Sequence, residues 1–138
     1  ELAKAVVRDG EGATRLIEIR VDGARTAADA RKAAYAVANS NLVKTAFFGG
    51  DANWGRIISA LGATDAAFSP EAVKVYLEKE AVFRNGKGVG GREAILSRVM
   101  SQAEVTLRIA LGAGKESFRL YGSDLSFDYV KINAHYRT

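Results

Sequence analysis

The chain has no cysteine, so it can form neither a disulfide nor a thiolate-held metal site, which fits a reducing, cytoplasmic setting. It has one histidine, His135. That leaves a zinc site without its usual ligands and a Ser-His-Asp triad with a single candidate base. No nucleophile elbow stands beside His135, which reads as a surface or packing residue. No metal is therefore expected. No apolar run approaches the roughly 20 residues of a membrane helix, and no signal-peptide pattern is visible. There is no run of Lys or Arg either. The net charge of +4 and the pI of about 9.5 come from basic residues scattered singly or in pairs. The plain reading is a mildly basic surface. The sharper one, a nucleic-acid-binding module, has only the pI behind it. Neither nucleic acid nor membrane is expected as a partner.

What is present suits one globular unit. The 138 residues are 48% apolar and 26% charged, enough for a core. Glu1 to Arg8 looks like the last two turns of an amphipathic helix without a lead-in, which suggests a piece of something longer. Asp9-Gly10-Glu11-Gly12 is a turn signal. From Thr14 to Val21, Ile17, Ile19 and Val21 alternate with Glu18 and Arg20, as in a half-buried strand. Thr26-Ala27-Ala28-Asp29 resembles a capping box and opens an Ala-rich helix to about Asn39.

Leu42 to Phe48 reads as a short buried strand ended by Gly49-Gly50. Asp51 is expected to cap a helix from Ala52 to about Leu61, with Trp54, Ile57, Ile58 and Leu61 on one face and Gly62 as its stop. Val73, Val75 and Leu77 mark a strand, and Ala81 to Phe83 a second one turned at Asn85-Gly86. Gly86 to Gly91 reads as a flexible connection. Arg92 to Met100 suits a helix with Ile95, Leu96 and Val99 inward. Val105, Leu107 and Ile109 alternate cleanly, and Phe118 and Leu120 mark a partner strand after Gly112-Ala113-Gly114, so the two later strand pairs look like hairpins. A final helix is expected from about Leu125 to Asn133. The predicted class is α/β (α+β), a mixed sheet with helices packed on it and no internal domain boundary in 1–138.

Three stretches invite a chemical reading. Asp9-Gly10-Glu11-Gly12 is either a solvated turn or a carboxylate held at a strand mouth for a cationic group. Gly49-Gly50-Asp51-Ala52-Asn53-Trp54-Gly55-Arg56 is either helix capping and packing or an anion site at a helix N-terminus. It lacks the Gly-Lys-Ser/Thr of a nucleotide loop, and Gly86 to Gly91 lacks a helix-opening Lys or Ser. The C-terminal stretch keeps Leu125, Phe127, Tyr129, Val130, Ile132 and Tyr136. A tail so apolar is expected to dock, bringing Asn133, Thr138 and the terminal carboxylate to fixed places. No Ser or Thr sits in a recognisable nucleophile setting.

In order, Leu2-Ala3-Lys4, Val7 to Thr14, Val43-Lys44-Thr45-Ala46-Phe47-Phe48-Gly49, Asp51 to Ile57, Asp124-Leu125-Ser126 and Tyr129 to Thr138 resemble the ornithine acetyltransferase family. Several separate motifs in one order are more specific than any alone; only about Ala66 to Tyr121 is generic. The resemblance implies a self-processing N-terminal-nucleophile-type fold whose precursor cuts itself into α and β chains, with this chain the C-terminal part of β. It implies acetyl transfer from N-acetylornithine to glutamate in arginine biosynthesis, through a threonine that would lie outside this chain, so no catalytic residue is assigned here. It carries three substrate contacts onto Glu11, Asn133 and Thr138. No bound cofactor is implied, acetyl-CoA being a possible donor substrate. The implied partners are the α chain and the rest of the β chain, in a heterotetramer of two α and two β chains. His135 stands where an acid is more usual in the family. A related self-processing amidase or aminopeptidase, or a specialised ornithine acetyltransferase, would share these features.

Overall fold

The computed structural model describes residues 15–124. The expected helices at Glu1 to Arg8 and Leu125 to Asn133, the Asp9 to Gly12 turn and His135 lie outside the described residues.

Strand β1 (Leu16–Ala24) follows the sequence pattern: Ile17, Ile19 and Val21 are buried, with Glu18, Arg20 and Asp22 on the other side. Burying each of those apolar side chains stabilises the fold by about 1.5–3 kcal/mol. Helix α1 (Ala27–Ala38) starts where Thr26 Oγ1 accepts from the Asp29 amide at 3.0 Å. The carboxylate of Asp29 turns to the amide of Ala67 at 3.1 Å and so holds the 63–70 loop against the helix. Ala30, Ala33, Ala34 and Ala38 lie buried with Val37. Their small side chains let α1 approach β1 and the last strand closely.

The segment expected as a buried strand from Leu42 to Phe48 is instead helix α2 (Asn41–Phe48). Ser40 Oγ accepts from the Val43 amide at 3.2 Å, a helix cap. Only Val43, Lys44, Ala46 and Phe47 are buried, a helical spacing, while Leu42 is 62% exposed and Phe48 50%. An apolar run this short does not distinguish strand from helix, and the serine decides it. Helix α3 (Trp54–Gly62) is capped by Asn53, whose Oδ1 accepts from the Arg56 amide at 3.1 Å. Asp51 instead accepts from Asn53 Nδ2 at 3.1 Å. The helix also begins two residues later than expected from the pattern and includes Gly62.

β2 (Lys74–Leu77) and β3 (Glu80–Arg84) form the expected hairpin. Asn85 and Gly86, at φ +55° and +76°, make the tight turn into β4 (Lys87–Gly88). The presumed flexible connection therefore contains a strand, paired through Phe83–Gly88 and Arg84–Lys87. Helix α4 (Glu93–Met100) buries Met100 and packs Leu96 and Val99 against the core; Ile95, expected inward, is 42% exposed.

β5 (Glu104–Ala110) and β6 (Glu116–Ser123) are not the expected hairpin. The sheet order is β4-β3-β2-β5-β1-β6, with β1 between them, parallel to β5 and antiparallel to β6. The connecting loop passes over the end of β1. Leu111 N donates to Asp22 O at 2.9 Å, and the amides of Ala113 and Gly114 both donate to Gly23 O at 2.7 Å. Alternation shows that two strands exist, but not which edge each one finds.

All four described helices feed one core cluster with Ile17, Ile19, Val21, Val75, Leu77, Val105, Leu107 and Ile109. They therefore cover one face of a mixed sheet, and the opposite face carries the polar members of each alternation. No described helix is long and apolar enough to cross a membrane.

Candidate functional site

Arg15 immediately precedes β1 and Asp124 immediately follows β6, and because these strands are antiparallel neighbours the two residues meet at one end of the sheet. The Arg15 amide donates to Asp124 Oδ1 at 2.7 Å, and the Asp124 amide faces Arg15 O at 3.4 Å. The Asp124 side chain is fully buried. Its ion pair with the Arg15 guanidinium is long, 4.0 Å, because that group is engaged elsewhere. Arg15 Nη1 donates to the carbonyl of Phe47 and, at 3.2 Å, to that of Phe48. It thus satisfies carbonyls at the C-terminus of α2, where a cation is also favoured by the helix dipole.

The loop after α2 is equally tied down. Gly50, at φ +71°, donates to Phe47 O at 3.0 Å, and Asp51 donates to Ala46 O at 2.8 Å. Arg56 Nη1 returns to Leu42 O at 2.9 Å, joining α3 to α2. Trp54 lies on the backbone of Gly88, with its ring centroid 5.1 Å from that of Phe83. Beside it, Asp51, Trp54, Val82, Val89, Glu93 and Leu96 line a cavity of about 300 Å³. Both carboxylates there already have donors, Asp51 from Asn53 and Glu93 from the Gly91 amide at 3.3 Å. Capping and packing account for the Asp51-to-Arg56 stretch, and no anion role is assigned to it.

Of the motif segments, α2, the loop into α3 and Asp124 lie among the described residues, and the bonds of Arg15 to Phe47, Phe48 and Asp124 bring α2 and Asp124 together at the start of β1. Of the sequence-predicted contacts, Glu11, Asn133 and Thr138 all lie outside the described residues. Their attachment points do not. In the sequence Glu11 stands four residues before Arg15, and Asn133 nine residues after Asp124. Sequence reasoning passed over Arg15 and gave Asp124 no structural task. The signal for the pair is weak, since nothing local marks two residues 109 positions apart as partners.

The profile of the ArgJ family matches residues 1–138. The chain belongs to the ArgJ family. An "Arginine biosynthesis bifunctional protein ArgJ" from Syntrophotalea carbinolica is 52% identical over the whole chain, and one from Symbiobacterium thermophilum is 53% identical over 99% of it. The chain spans about a third of the length of these relatives, 35% and 34%. A crystal structure of the ArgJ protein from Bacillus halodurans superposes with a TM-score of 0.87 at 38% identity, covering 98% of this chain and 64% of that one. The mixed sheet with helices is thus the ArgJ fold over this stretch.

Proposed function

We propose that this chain is the C-terminal part of the β chain of a two-chain cytoplasmic ArgJ acetyltransferase, which moves an acetyl group from N-acetylornithine to glutamate. In this reading a threonine hydroxyl from another segment attacks the acetyl carbonyl. The C–N bond breaks, and ornithine leaves with the proton. Glutamate's amine then attacks the acetyl-threonine ester, and the hydroxyl recovers its proton as N-acetylglutamate departs. Acetyl-CoA would serve as an alternative donor in a bifunctional enzyme, and the assembly would hold two α and two β chains.

This chain's own part would be one wall of the pocket. Glu11 accepts from an ammonium, while Asn133 and Thr138 donate to a substrate carboxylate. The observation that carries the reading is the Arg15–Asp124 junction, from which the chain runs to Glu11 in one direction and to Asn133 and Thr138 in the other. Family membership supports the chemistry. The lengths support the two-chain form: this chain spans 64% of the solved chain but 35% of a curated relative, so the solved chain is itself only about half as long as that relative. Exposed Leu42 and Phe48 beside the junction are surface for the remainder of the enzyme to cover.

The test is steady-state kinetics of the assembled two-chain enzyme carrying Glu11→Ala or Asn133→Ala, with N-acetylornithine or acetyl-CoA as donor. Each substitution is expected to raise KM or lower kcat about ten-fold or more, the loss of one charge-assisted contact. Unchanged kinetics in both variants removes the site. Activity with acetyl-CoA alone, with N-acetylornithine alone, or with both separates the single from the dual function.

A further inference from the structure

The face of the sheet that carries no described helix bears a row of three arginines. In the strand register Arg108 of β5 lies opposite Arg20 of β1, and Arg20 lies opposite Arg119 of β6. With neighbouring strands about 4.8 Å apart, the row spans roughly 10 Å. Like charges directly opposite one another cost stability, so this arrangement needs a counter-charge. Two of the three have one. Arg108 pairs with Asp22 at 3.7 Å and lies over the Tyr76 ring, 4.4 Å from its centroid; Arg119 pairs with Glu18 at 3.5 Å. Arg20, in the middle and exposed, has no side-chain hydrogen bond or ion pair among the described residues. Beside it opens a polar cavity of about 510 Å³ lined by Arg20, Val21, Asp22, Ser117, Phe118 and Arg119.

We propose that this row is a binding site for a phosphate-class oxyanion, seated on Arg20 and flanked by Arg119 and Arg108. A guanidinium presents donors in a planar fork that matches phosphate oxygens two at a time. A carboxylate is filled by one such fork. A tetrahedral dianion has oxygens for several, and it supplies the counter-charge that Arg20 in the middle of the row lacks among the described residues. Asp22 and Glu18 hold the outer two guanidinium groups, leaving Arg20 as the member whose donors go to the ligand. The row lies five residues along β1 from Arg15, roughly 17 Å away. The same chemistry could be supplied from within the protein by an acidic side chain, and the experiment separates the two sources.

The experiment is thermal unfolding of the purified protein in Tris-chloride buffer, with inorganic phosphate or pyrophosphate added and chloride used to match ionic strength. Phosphate is expected to raise Tm saturably beyond the chloride control, because a ligand bound only to the folded state stabilises it. Arg20→Gln should weaken the apparent affinity about ten-fold or more, and Arg20→Lys, which keeps the charge but loses the fork, by less. Without oxyanion, Arg20→Gln should melt at or above the wild-type temperature, since it removes a repulsion. A phosphate effect equal to that of chloride, or equal in wild type and Arg20→Gln, overturns the proposal. So does a lower Tm of Arg20→Gln in oxyanion-free buffer, which would mean that a carboxylate of the protein already fills the row.

Discussion

The amide of Arg15 donates to the buried carboxylate of Asp124 across 109 positions of sequence, at 2.7 Å. This bond matters more than the ion pair between the same residues, which is stretched to 4.0 Å. Asp124→Ala leaves that amide without its acceptor and should destabilise the protein by about 1–3 kcal/mol, the cost of an orphaned donor. Asp124→Asn keeps an oxygen in place and should cost less. Urea unfolding of the two variants checks the order. An alanine variant no less stable than the asparagine one would mean that Asp124 does not hold the junction.

Trp54 and Gly88 make a second testable contact. A Cβ at Gly88 would stand 2.5 Å from Cε2 and Nε1 of the indole, closer than any real packing allows. Gly88→Ala should therefore push the ring off its seat at about 1–3 kcal/mol, an overpacking cost. Trp54 is the sole tryptophan, so its fluorescence reports the shift directly. In a Trp54→Ala background the glycine substitution should become nearly free. Equal costs in both backgrounds would remove the contact as the cause.

These two pairs show where the sequence is legible. Alternation in β1, β2 and β5 identifies the strands and their buried faces from single residues, and Thr26 marks the start of α1, because these signals are local. Leu42 to Phe48 reads wrongly because seven apolar-rich residues suit either period, and Ser40, whose hydroxyl caps the Val43 amide, carries the deciding information. The β5–β6 hairpin fails for a non-local reason: β1 occupies the edge that each strand needs. The Arg20 row and the Arg15–Asp124 junction depend on that same register, so neither is visible until β1 is placed between its partners. The described motif segments are readable as sequence, but the meeting of α2 and Asp124 at Arg15 follows only from the fold.

Asp65 has its carboxyl held below the ordinary value of 3.8, mainly by the hydrogen bond from Lys32, with the charge of Lys32 adding to it. The lowered group contributes stability that is complete above the unfolded pKa and is lost as pH falls through the folded one. The pair is solvent-exposed, at 3.0 Å, so the effect is small and screened by salt. Asp65→Asn should melt slightly below wild type near neutral pH, and the two should converge as pH drops below 3.8. A gap that persists unchanged in acid would assign the difference to something other than this pair.

Gly114 and Gly62 should respond in opposite directions to the same substitution. A Cβ on Gly114 would sit 2.5 Å from Ala24 O and 2.8 Å from Arg25 Cα. Both are backbone atoms that cannot swing aside, and the Gly114 amide is bonded to Gly23 O. Gly114→Ala must lift the loop off the end of β1, so it should destabilise by about 1–3 kcal/mol or more. Gly62, in the last turn of α3, has no atom within 4 Å of the added carbon and needs no positive φ. Gly62→Ala removes backbone freedom from the unfolded chain and should stabilise by up to about 1 kcal/mol. Paired denaturation curves decide the matter. A harmless Gly114→Ala would mean that the loop does not clasp β1, and the placement of β6 on the far side of that strand would lose its physical reason.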